Sequence, residues 1–379
     1  MGCYHPLKGF PVARDEWYNP ESQKTEVHRK VEIVPWSVDG KEVLRLGYIG
    51  DRKCLITSAN EYYVQDPKKK PQPKKKVRFD EVYDFYYTIP CGQCIGCRLD
   101  YSRRWANRLM MELEDHDPDD CWFLTLTYDN DHLDTILSAN RETGEATLSL
   151  CKRDVQLFHK RLREKFPRKK IRFFLAGEYG ESTARPHYHG IYFSLCLDGF
   201  DPEDKANVWS RTEQGFTLYH WSVLDEVWSK GRVIIARVSW DTCAYTARYV
   251  CKKLTGPMAE YYENFGIIPE FTLMSRKPGI ARNFYDRIDV FDPEKEIILS
   301  TGEGGLKFKP PRYFKELWKV DHELESDILS IKNVQQAENF RKLKESKNGL
   351  ARQDWLKYLE SVERSHQKGS CKLKRSDVY

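Results

Sequence analysis

The sequence predicts an α+β fold built around a central antiparallel sheet. Segments that alternate large apolar and polar residues, as strands do, are interspersed with segments whose apolar residues recur every three or four positions, as in helices. The strands are predicted at residues 122–128, 171–178, 187–194 and 232–238, and helices are predicted to start at Asp154, Ser222 and Asp241. The first six of these seven elements follow one another in the split βαβ order of ferredoxin-like domains.

The strand and helix assignments depend on local patterns. Residues 122–128 alternate threonine with large apolar residues, which is typical of a strand. Val155 and Phe158 lie on one face of a helix that Asp154 can cap at its N-terminus. Residues 180–186 are typical of a turn, so the strands on either side are expected to pair as a hairpin.

Three segments are predicted along the chain. Residues 1–115 form a basic, cysteine-rich region, residues 116–260 form the central α+β domain, and residues 261–379 form a basic, mainly helical C-terminal extension. Within the first segment, the lysine-rich residues 66–76 predict an extended loop. Residues 98–114 predict a basic amphipathic helix.

The composition narrows the class of protein. The chain has 379 residues, enough for two domains or for one domain with large additions, and a net charge of +5 that alone does not indicate nucleic-acid binding. The sequence shows neither an apolar stretch long enough to cross a bilayer nor the apolar core of a secretory signal at its start, so no membrane partner is expected. Its eleven cysteines therefore indicate a reducing compartment, where clustered cysteines are more often metal ligands than disulfides.

A divalent metal site is predicted at His187 and His189. Residues two apart in a strand point to the same face of a sheet, so both imidazoles face one way and Tyr188 faces the other. Glu178 ends the preceding strand and is expected beside them once the hairpin forms, as the third ligand. Two nitrogens and one carboxylate suit a divalent ion that acts as a Lewis acid. The alternative is a pair of histidines on the surface or satisfied by hydrogen bonds.

Two tyrosines four residues apart are the predicted nucleophiles. Tyr245 and Tyr249 lie one turn apart on one helix face, and Lys252 and Lys253 continue that side. A phenol is a weak nucleophile at neutral pH and needs a nearby cation or metal. If this helix packs beside the histidines, a phenol reaches a metal-bound phosphate, and a lysine binds the adjacent phosphate or assists the departing hydroxyl. The alternative is the aromatic face of a packed helix.

Three cysteines at three-residue spacing predict a structural zinc site. Cys91, Cys94 and Cys97 supply three ligands of a tetrahedral ion. Cys3 and His5 are the candidates for the fourth ligand, because either would tie the N-terminus to the rest of the chain. The alternatives are three reduced thiols at the start of a helix and an iron–sulfur cluster.

Residues 123–128, the triplet His187-Tyr188-His189 and residues 245–253 together resemble the three motifs of HUH endonucleases. More narrowly, the chain is similar to replication initiator proteins of microviruses, which are small single-stranded DNA phages, and especially to the gokushovirus branch. The N-terminal Cys-Tyr-His-Pro, the segment Ile-Pro-Cys-Gly-Gln-Cys and the segment Ser-Arg-Lys-Pro-Gly-Ile also resemble that branch. The similarity is strongest over residues 90–285.

The resemblance implies an HUH catalytic domain and rolling-circle replication. One tyrosine nicks the origin strand, leaving a 5′-phosphotyrosine and a free 3′-hydroxyl that host polymerase extends. The second tyrosine cleaves the regenerated origin while the displaced strand is joined into a circle. The histidines and Glu178 would bind Mg²⁺ or Mn²⁺, harder ions that suit phosphate chemistry. Implied partners are single-stranded phage DNA, supercoiled double-stranded origin DNA, and a host helicase and polymerase in the bacterial cytoplasm.

Basic residues in and near these motifs are the predicted DNA contacts, namely Arg185, Arg248, Arg276 and Lys277. Two rival functions are considered. The first is a non-enzymatic single-stranded DNA-binding protein, since ferredoxin-like sheets bind single strands by aromatic stacking. The second is an HUH transposase, relaxase or plasmid initiator. Relaxases usually add a third histidine and carry their tyrosine near the N-terminus, and neither feature is seen here, which favours phage or plasmid replication.

Overall fold

A computed structural model describes the central part of the chain and shorter stretches on either side. The described residues are 3–11, 17–19, 24–26, 37–38, 41–42, 44–49, 52–57, 61–64, 75–78, 87–180, 183–212, 215–249, 260–301, 304–347 and 357–365. The chain forms two compact units, the first from residues 1–97 and 327–374 and the second from residues 98–326 and 375–379. The predicted division at positions 115 and 260 stays a prediction, although residues on both sides of position 260 contribute to the second unit.

The described strands of the first unit are short. They are β1 (Leu7–Pro11), β2 (Trp17–Asn19), β3 (Lys24–Glu26), β4 (Ser37–Val38), β5 (Lys41–Glu42), β6 (Leu44–Ile49), β7 (Arg52–Thr57), β8 (Glu61–Val64), β9 (Lys75–Arg78) and β10 (Tyr87–Ile89). Four of them form an antiparallel sheet in the order β10-β1-β7-β6, and the others pair two by two. Most of the predicted lysine-rich loop, residues 66–74, lies outside the described residues.

The second unit contains a seven-stranded antiparallel sheet, which confirms the predicted α+β class. The elements that follow β10 are α1 (Ile95–Leu113), β11 (Trp122–Tyr128), β12 (Leu137–Ala139), β13 (Ala146–Leu148), α2 (Lys152–Lys165), β14 (Arg172–Tyr179), β15 (Pro186–Phe193), β16 (Val208–Arg211), β17 (Thr217–His220), α3 (Ser222–Trp228), β18 (Gly231–Arg237), α4 (Trp240–Tyr249), α5 (Glu260–Asn264), β19 (Phe271–Met274), α6 (Arg282–Asp286), β20 (Ile297–Thr301), β21 (Gly304–Phe308), α7 (Arg312–Asp321) and α8 (Glu323–Lys347). The strand order is β16-β17-β18-β11-β15-β14-β19. Among the described helices, none is both long enough and apolar enough to span a membrane.

One face of this sheet packs against α2 and α3. Leu124 and Leu126 of β11 point to this face, where they form a buried core with Phe158 of α2 and Trp228 of α3. Each fully buried large apolar side chain contributes roughly 1.5–3 kcal/mol to stability. The apolar spacing that predicts these two helices is therefore the spacing of their core-facing side chains.

The opposite face of the sheet packs against α1 and α4. Phe123 of β11 and Ile191 of β15 point to this side and form a second buried core with Leu109 of α1 and Cys243 of α4. Phe314 of α7 is fully buried in the same core. Because the sheet is covered on both faces, β15 is buried along its whole length, including its two histidines.

The start of α2 differs from the prediction. Lys152 is the first residue of α2, and Cys151 occupies the N-cap position without a side-chain capping bond. Asp154, the predicted cap, lies inside the first turn and accepts a hydrogen bond of 2.9 Å from the hydroxyl of Tyr128. The buried hydroxyl of Tyr128 requires a hydrogen-bond partner. Asp154 provides it and therefore does not cap the helix.

A buried ion pair holds together α1, β14 and the turn after β19. The guanidinium of Arg172 contacts the carboxylate of Glu112 and donates to the carbonyl oxygens of Pro278, at 3.0 Å, and Gly279, at 2.9 Å. Glu112 also accepts a hydrogen bond from the backbone N–H of Ala281. Both charged side chains are buried, so each depends on the other for compensation of its charge.

Replacing Glu112 by glutamine is expected to lower the free energy of unfolding by roughly 3–5 kcal/mol, because Arg172 would be left buried without its counter-charge. Urea unfolding of the variant and of the unmodified protein measures this difference. Glu316→Gln is the matched control, since Glu316 is exposed on α7 and its change should leave the free energy of unfolding within about 0.5 kcal/mol.

The same pair makes the stability dependent on pH. Burial by itself would raise the pKa of Glu112, but hydrogen bonds from His116, Arg172 and Ala281 and the charge of Arg172 hold it below its usual value. The stabilisation is fully present above the unfolded-state pKa of about 4.3 and is lost as the pH falls through the folded-state pKa. The difference between the unmodified protein and Glu112→Gln should therefore shrink below about pH 4; a difference independent of pH would contradict this assignment.

Candidate functional site

The hairpin of β14 and β15 brings the three predicted metal ligands together. Its antiparallel register places Glu178 directly opposite His187 and Ala176 opposite His189. Residues two apart share a face of the sheet, so Glu178, His187 and His189 all lie on one side. These three residues are called the metal triad below. They lie on the face that carries Phe123 and is covered by α1 and α4.

The ligand atoms of the metal triad are close enough for one ion. Nε2 of His187 lies 2.7 Å, and Nε2 of His189 lies 3.1 Å, from the same oxygen, Oε1 of Glu178. One ligand atom from each residue lies within 4.8 Å of the other two. The exposed fractions are 2% for Glu178, 7% for His187 and 1% for His189. A protected set of two imidazole nitrogens and one carboxylate is suited to a divalent ion.

Each histidine is oriented through its other ring nitrogen. Nδ1 of His187 lies 3.0 Å from the carbonyl oxygen of Arg185, which only accepts, so Nδ1 carries the proton. With that proton on Nδ1, Nε2 is the ring nitrogen whose lone pair would bind a metal ion. Nδ1 of His189 lies 3.0 Å from the hydroxyl oxygen of Thr125. Such outer contacts fix the ring orientation of metal-binding histidines.

The charge of Glu178 also fits a bound cation. Burial by itself would raise the pKa of Glu178, but hydrogen bonds from His187 and His189 and their positive charge lower it well below its usual range. A buried carboxylate that stays ionised requires positive charge close by, supplied by imidazolium protons or by a metal ion. The residues of the metal triad therefore fit a divalent ion that takes the place of those protons.

Thr125 is a site residue that the sequence analysis did not single out. It lies opposite His189 in the pairing of β11 with β15 and is 4% exposed. The available signal was a polar residue within a strand of large apolar residues, but only strand pairing shows which histidine it contacts. Thr125 is thus the outer contact that orients one predicted ligand.

Replacing Thr125 by valine is expected to weaken divalent-ion binding at the metal triad by roughly 10–100-fold, because Nδ1 of His189 loses its orienting partner. Calorimetric titration with Mn²⁺ measures the affinity. Thr147→Val, on the separate β12–β13 hairpin, is the matched control and should bind as the unmodified protein does. Unchanged affinity in Thr125→Val would show that the hydroxyl does not orient His189.

Packing on the opposite face keeps the histidine strand in register. Tyr188 points to that face, as predicted, and is fully buried. Its hydroxyl lies 3.1 Å from the hydroxyl of Tyr128 and accepts a hydrogen bond of 2.8 Å from the N–H of Cys151. A Cβ on the neighbouring Gly177 would come within 3.1 Å of the Tyr188 ring. A side chain at this position, just before Glu178, would therefore crowd the Tyr188 ring.

Tyr245 of α4 lies against the metal triad. Its ring centroid is 5.4 Å from that of His189 and 6.1 Å from that of Phe123, with interplanar angles of 79° and 77°. The side chain is half-buried, and α4 packs on β14 and β15. The tertiary structure therefore brings a predicted nucleophile beside the predicted metal ligands.

The other predicted catalytic residues follow along the chain. Tyr249 is the last residue of α4, one turn beyond Tyr245, and its side chain lies outside the described part of the structure. Lys252 and Lys253 lie entirely outside the described residues. Their roles stay predictions.

The chain is similar to replication proteins of phages. Residues 121–254 match the family model of replication-associated protein ORF2/G2P. Over 245 residues, 62% of this chain, it is 30% identical to replication-associated protein VP4 of Bdellovibrio phage phiMH2K, and the match covers 69% of that protein. The chain belongs to the phage replication-associated protein family. The expected resemblance to phage replication proteins is thereby confirmed.

Two further members of the family match over shorter shares of their length. Identity is 31% over 230 residues with replication-associated protein ORF2 of Spiroplasma virus 4, covering 60% of this chain and 66% of that protein. With replication-associated protein ORF4 of Chlamydia phage 1, identity is 29% over 249 residues, and the match covers 63% of this chain and 55% of that protein. The chain thus spans less than two thirds of the length of either relative. No solved structure matches the chain.

The family match covers residues 121–254. It therefore contains the metal triad and the other predicted catalytic residues, namely Tyr245, Tyr249, Lys252 and Lys253.

Three of the predicted DNA contacts are exposed, namely Arg248, Arg276 and Lys277. The fourth, Arg185, is half-buried and donates to the side-chain oxygen of Asn130 at 2.6 Å.

A second group of potential metal ligands lies in the first unit, outside the family match. Cys3, Cys91, Cys94 and Cys97 bring one sulfur atom each within 4.8 Å of the others. His5, the other candidate for a fourth ligand, instead contacts the carboxylate of Glu363 through its ring nitrogen. The structure thus groups Cys3, and not His5, with the three spaced cysteines.

Proposed function

We propose that this protein initiates rolling-circle replication by nicking the origin strand of phage DNA through metal-assisted attack of a tyrosine. The observation that carries the proposal is the position of Tyr245 beside the converging side chains of the metal triad. Membership of the phage replication-associated protein family supports the replication role.

The sheet supports assignment to the HUH version of the split βαβ fold. Its central four strands run β18-β11-β15-β14, so the first strand, β11, lies between the last strand, β18, and the third, β15. The two crossover helices, α2 and α3, cover the same face. The metal triad lies on the other face, and α4, the helix that carries Tyr245, packs on that face.

The chemistry assigns a role to each group. Glu178, His187 and His189 would hold Mg²⁺ or Mn²⁺, which when bound neutralises charge on the phosphate oxygens. The phenol oxygen of Tyr245 forms a bond to phosphorus while the bond from phosphorus to the 3′ oxygen breaks. The phenol proton leaves to solvent, and the 3′ oxygen takes up a proton. The products are a 5′-phosphotyrosine and a free 3′-hydroxyl.

The second tyrosine allows the reaction to be repeated. We assign Tyr249 to cleavage of the regenerated origin, after which the 3′-hydroxyl of the displaced strand attacks the first phosphotyrosine and closes the circle. Each exchange forms one phosphodiester bond for each one broken. Lys252 or Lys253 would bind the neighbouring phosphate or assist the departing hydroxyl. The exposed Arg248, with Arg276 and Lys277, would hold the DNA backbone by charge.

This function implies defined partners and a location. The DNA substrates would be supercoiled double-stranded origin DNA for the first nick and the displaced single strand for closure. A host helicase would separate the strands and a host polymerase would extend the 3′-hydroxyl, which places the reaction in the cytoplasm of the bacterial host. Each of these partners is inferred from the proposed reaction.

The test is incubation of the protein with single-stranded phage DNA and Mg²⁺, followed by denaturing electrophoresis and peptide mapping. The expected result is a covalent adduct on Tyr245 or Tyr249 and a matching fragment with a free 3′-hydroxyl. Binding without an adduct at any metal concentration would instead favour the single-stranded DNA-binding protein. An adduct with insertion into unrelated target DNA, without circular product, would favour a transposase.

A further inference from the structure

The four clustered cysteines of the first unit have the dimensions of a shell around one metal ion. The sulfur atoms of Cys91 and Cys97 are 4.0 Å apart, and those of Cys94 and Cys3 are 3.9 Å apart. All four thiols are free, and a disulfide would hold its sulfurs at about 2.05 Å. A tetrahedral ion with Zn–S bonds of about 2.3 Å holds its sulfurs about 3.8 Å apart. The observed separations match this value.

Backbone N–H groups point at these sulfurs. The N–H of Tyr4 lies 3.4 Å from Sγ of Cys94, and the N–H of Cys91 lies 3.2 Å from Sγ of Cys3. The N–H of Cys94 lies 3.2 Å from Sγ of Cys91. A thiolate accepts such bonds more strongly than a thiol does, and the thiolate is the form that binds metals. The loops therefore direct backbone donors at three of the four sulfurs, an arrangement that suits metal-bound thiolates.

We propose that Cys3, Cys91, Cys94 and Cys97 bind one structural zinc ion, which fastens the N-terminus to the start of α1 and supports the helical residues 357–365. A single ion is indicated because all four sulfurs lie within 4.8 Å of one another. An iron–sulfur cluster contains several irons and holds its cysteines farther apart. Cys94 and Cys97 are buried, as expected for a closed structural site.

Side chains around the four cysteines connect them to residues 357–365. The carboxylate of Glu363 contacts the ring nitrogen of His5 and accepts a 3.4 Å hydrogen bond from the N–H of Ile95, the first residue of α1. Leu359 and Val362 of the same segment pack against the cysteine cluster. His5 is thus a support for the site and not a ligand. One zinc ion would hold three distant parts of the sequence in place.

This site is independent of the proposed nicking reaction. Its ligands are four soft thiolates, which select zinc, whereas the metal triad offers two imidazoles and one carboxylate, which suit harder ions. The cysteines belong to the first unit and the metal triad to the second. Loss of one metal is therefore expected to leave the other bound.

The test is the metal content of the purified full-length protein, with two variants that separate the sites. We expect one zinc ion per chain, retained in His189→Gln and lost in Cys94→Ser. Cys151→Ser is the matched thiol control, since Cys151 is not one of the four clustered cysteines. This variant should retain its zinc. Loss of zinc in His189→Gln together with retention in Cys94→Ser would overturn the proposal, as would stoichiometric iron in the unmodified protein.

A second measurement does not depend on folding of a variant. Unmodified protein depleted of zinc and loaded with Co²⁺ should show the sulfur-to-cobalt charge-transfer and tetrahedral d–d absorption of a thiolate site. Zinc bound there should also protect four thiols from alkylation, and the protection should disappear with a chelator. A cobalt spectrum without thiolate bands, or equal alkylation with and without zinc, would contradict the assignment.

Discussion

A protein in which Tyr245 and Tyr249 are both replaced by phenylalanine should bind origin DNA and form no covalent adduct with it. The change removes both phenol oxygens, so no side chain of this helix can form the phosphotyrosine bond. Phenylalanine keeps the aromatic ring that packs against His189 and Phe123, so the fold should survive. The measurement is adduct formation on denaturing gels, with binding measured on the same DNA.

The control for the double replacement is Tyr261→Phe. Tyr261 lies in α5 and is 44% exposed, so the variant loses a tyrosine hydroxyl without touching the metal triad. It should form the adduct at the rate of the unmodified protein. An adduct in the double variant would show that the nucleophile lies elsewhere. Undiminished binding with no adduct in any protein, including the unmodified one, would support the binding-only alternative.

Replacement of a metal-triad residue is expected to reduce the nicking rate by roughly 10³-fold or more, since charge neutralisation by a metal contributes several kcal/mol to a phosphoryl transfer. Glu178→Gln removes the negative ligand with little change in shape, and His189→Gln removes one imidazole. The rate is measured with an excess of protein over origin DNA. Mn²⁺ at high concentration should partly restore Glu178→Gln, which a merely structural role would not allow.

His132→Ala is the matched histidine control for this experiment. His132 pairs with Asp129 in an exposed turn, and its loss should leave the nicking rate unchanged. Far-ultraviolet circular dichroism checks that each variant is folded. If Glu178→Gln and His189→Gln nick at the unmodified rate, the metal triad is not the catalytic site.

The order of elements in the second unit was predictable because each element carries its own periodic pattern. The four predicted strands are confirmed within one residue of their predicted bounds. Hairpin pairing was also predictable, since a short turn separates β14 from β15, and it led to the placement of Glu178 beside the histidines. The strands β16, β17 and β19 at the two ends of the sheet were not predicted, because each has only four residues, too few to show a periodic pattern.

Contacts that join distant parts of the chain were not predictable. Thr125 is an unremarkable strand threonine until β11 pairs with β15 and sets it beside His189. The ion pair of Glu112 with Arg172 joins positions 60 residues apart, and neither residue carries a motif. Local patterns do not encode such pairs, because their partners are chosen by packing.

The sequence by itself determined which side chains are available for chemistry: two histidines on one strand face, a carboxylate in the hairpin partner, and two tyrosines one helical turn apart. The tertiary structure decided which of them meet. It placed the ring of Tyr245 5.4 Å from that of His189 and grouped Cys3, instead of His5, with the spaced cysteines. The physical reason is that strand and helix periodicity sets the direction of a side chain, whereas its neighbours depend on how sheets, helices and loops pack.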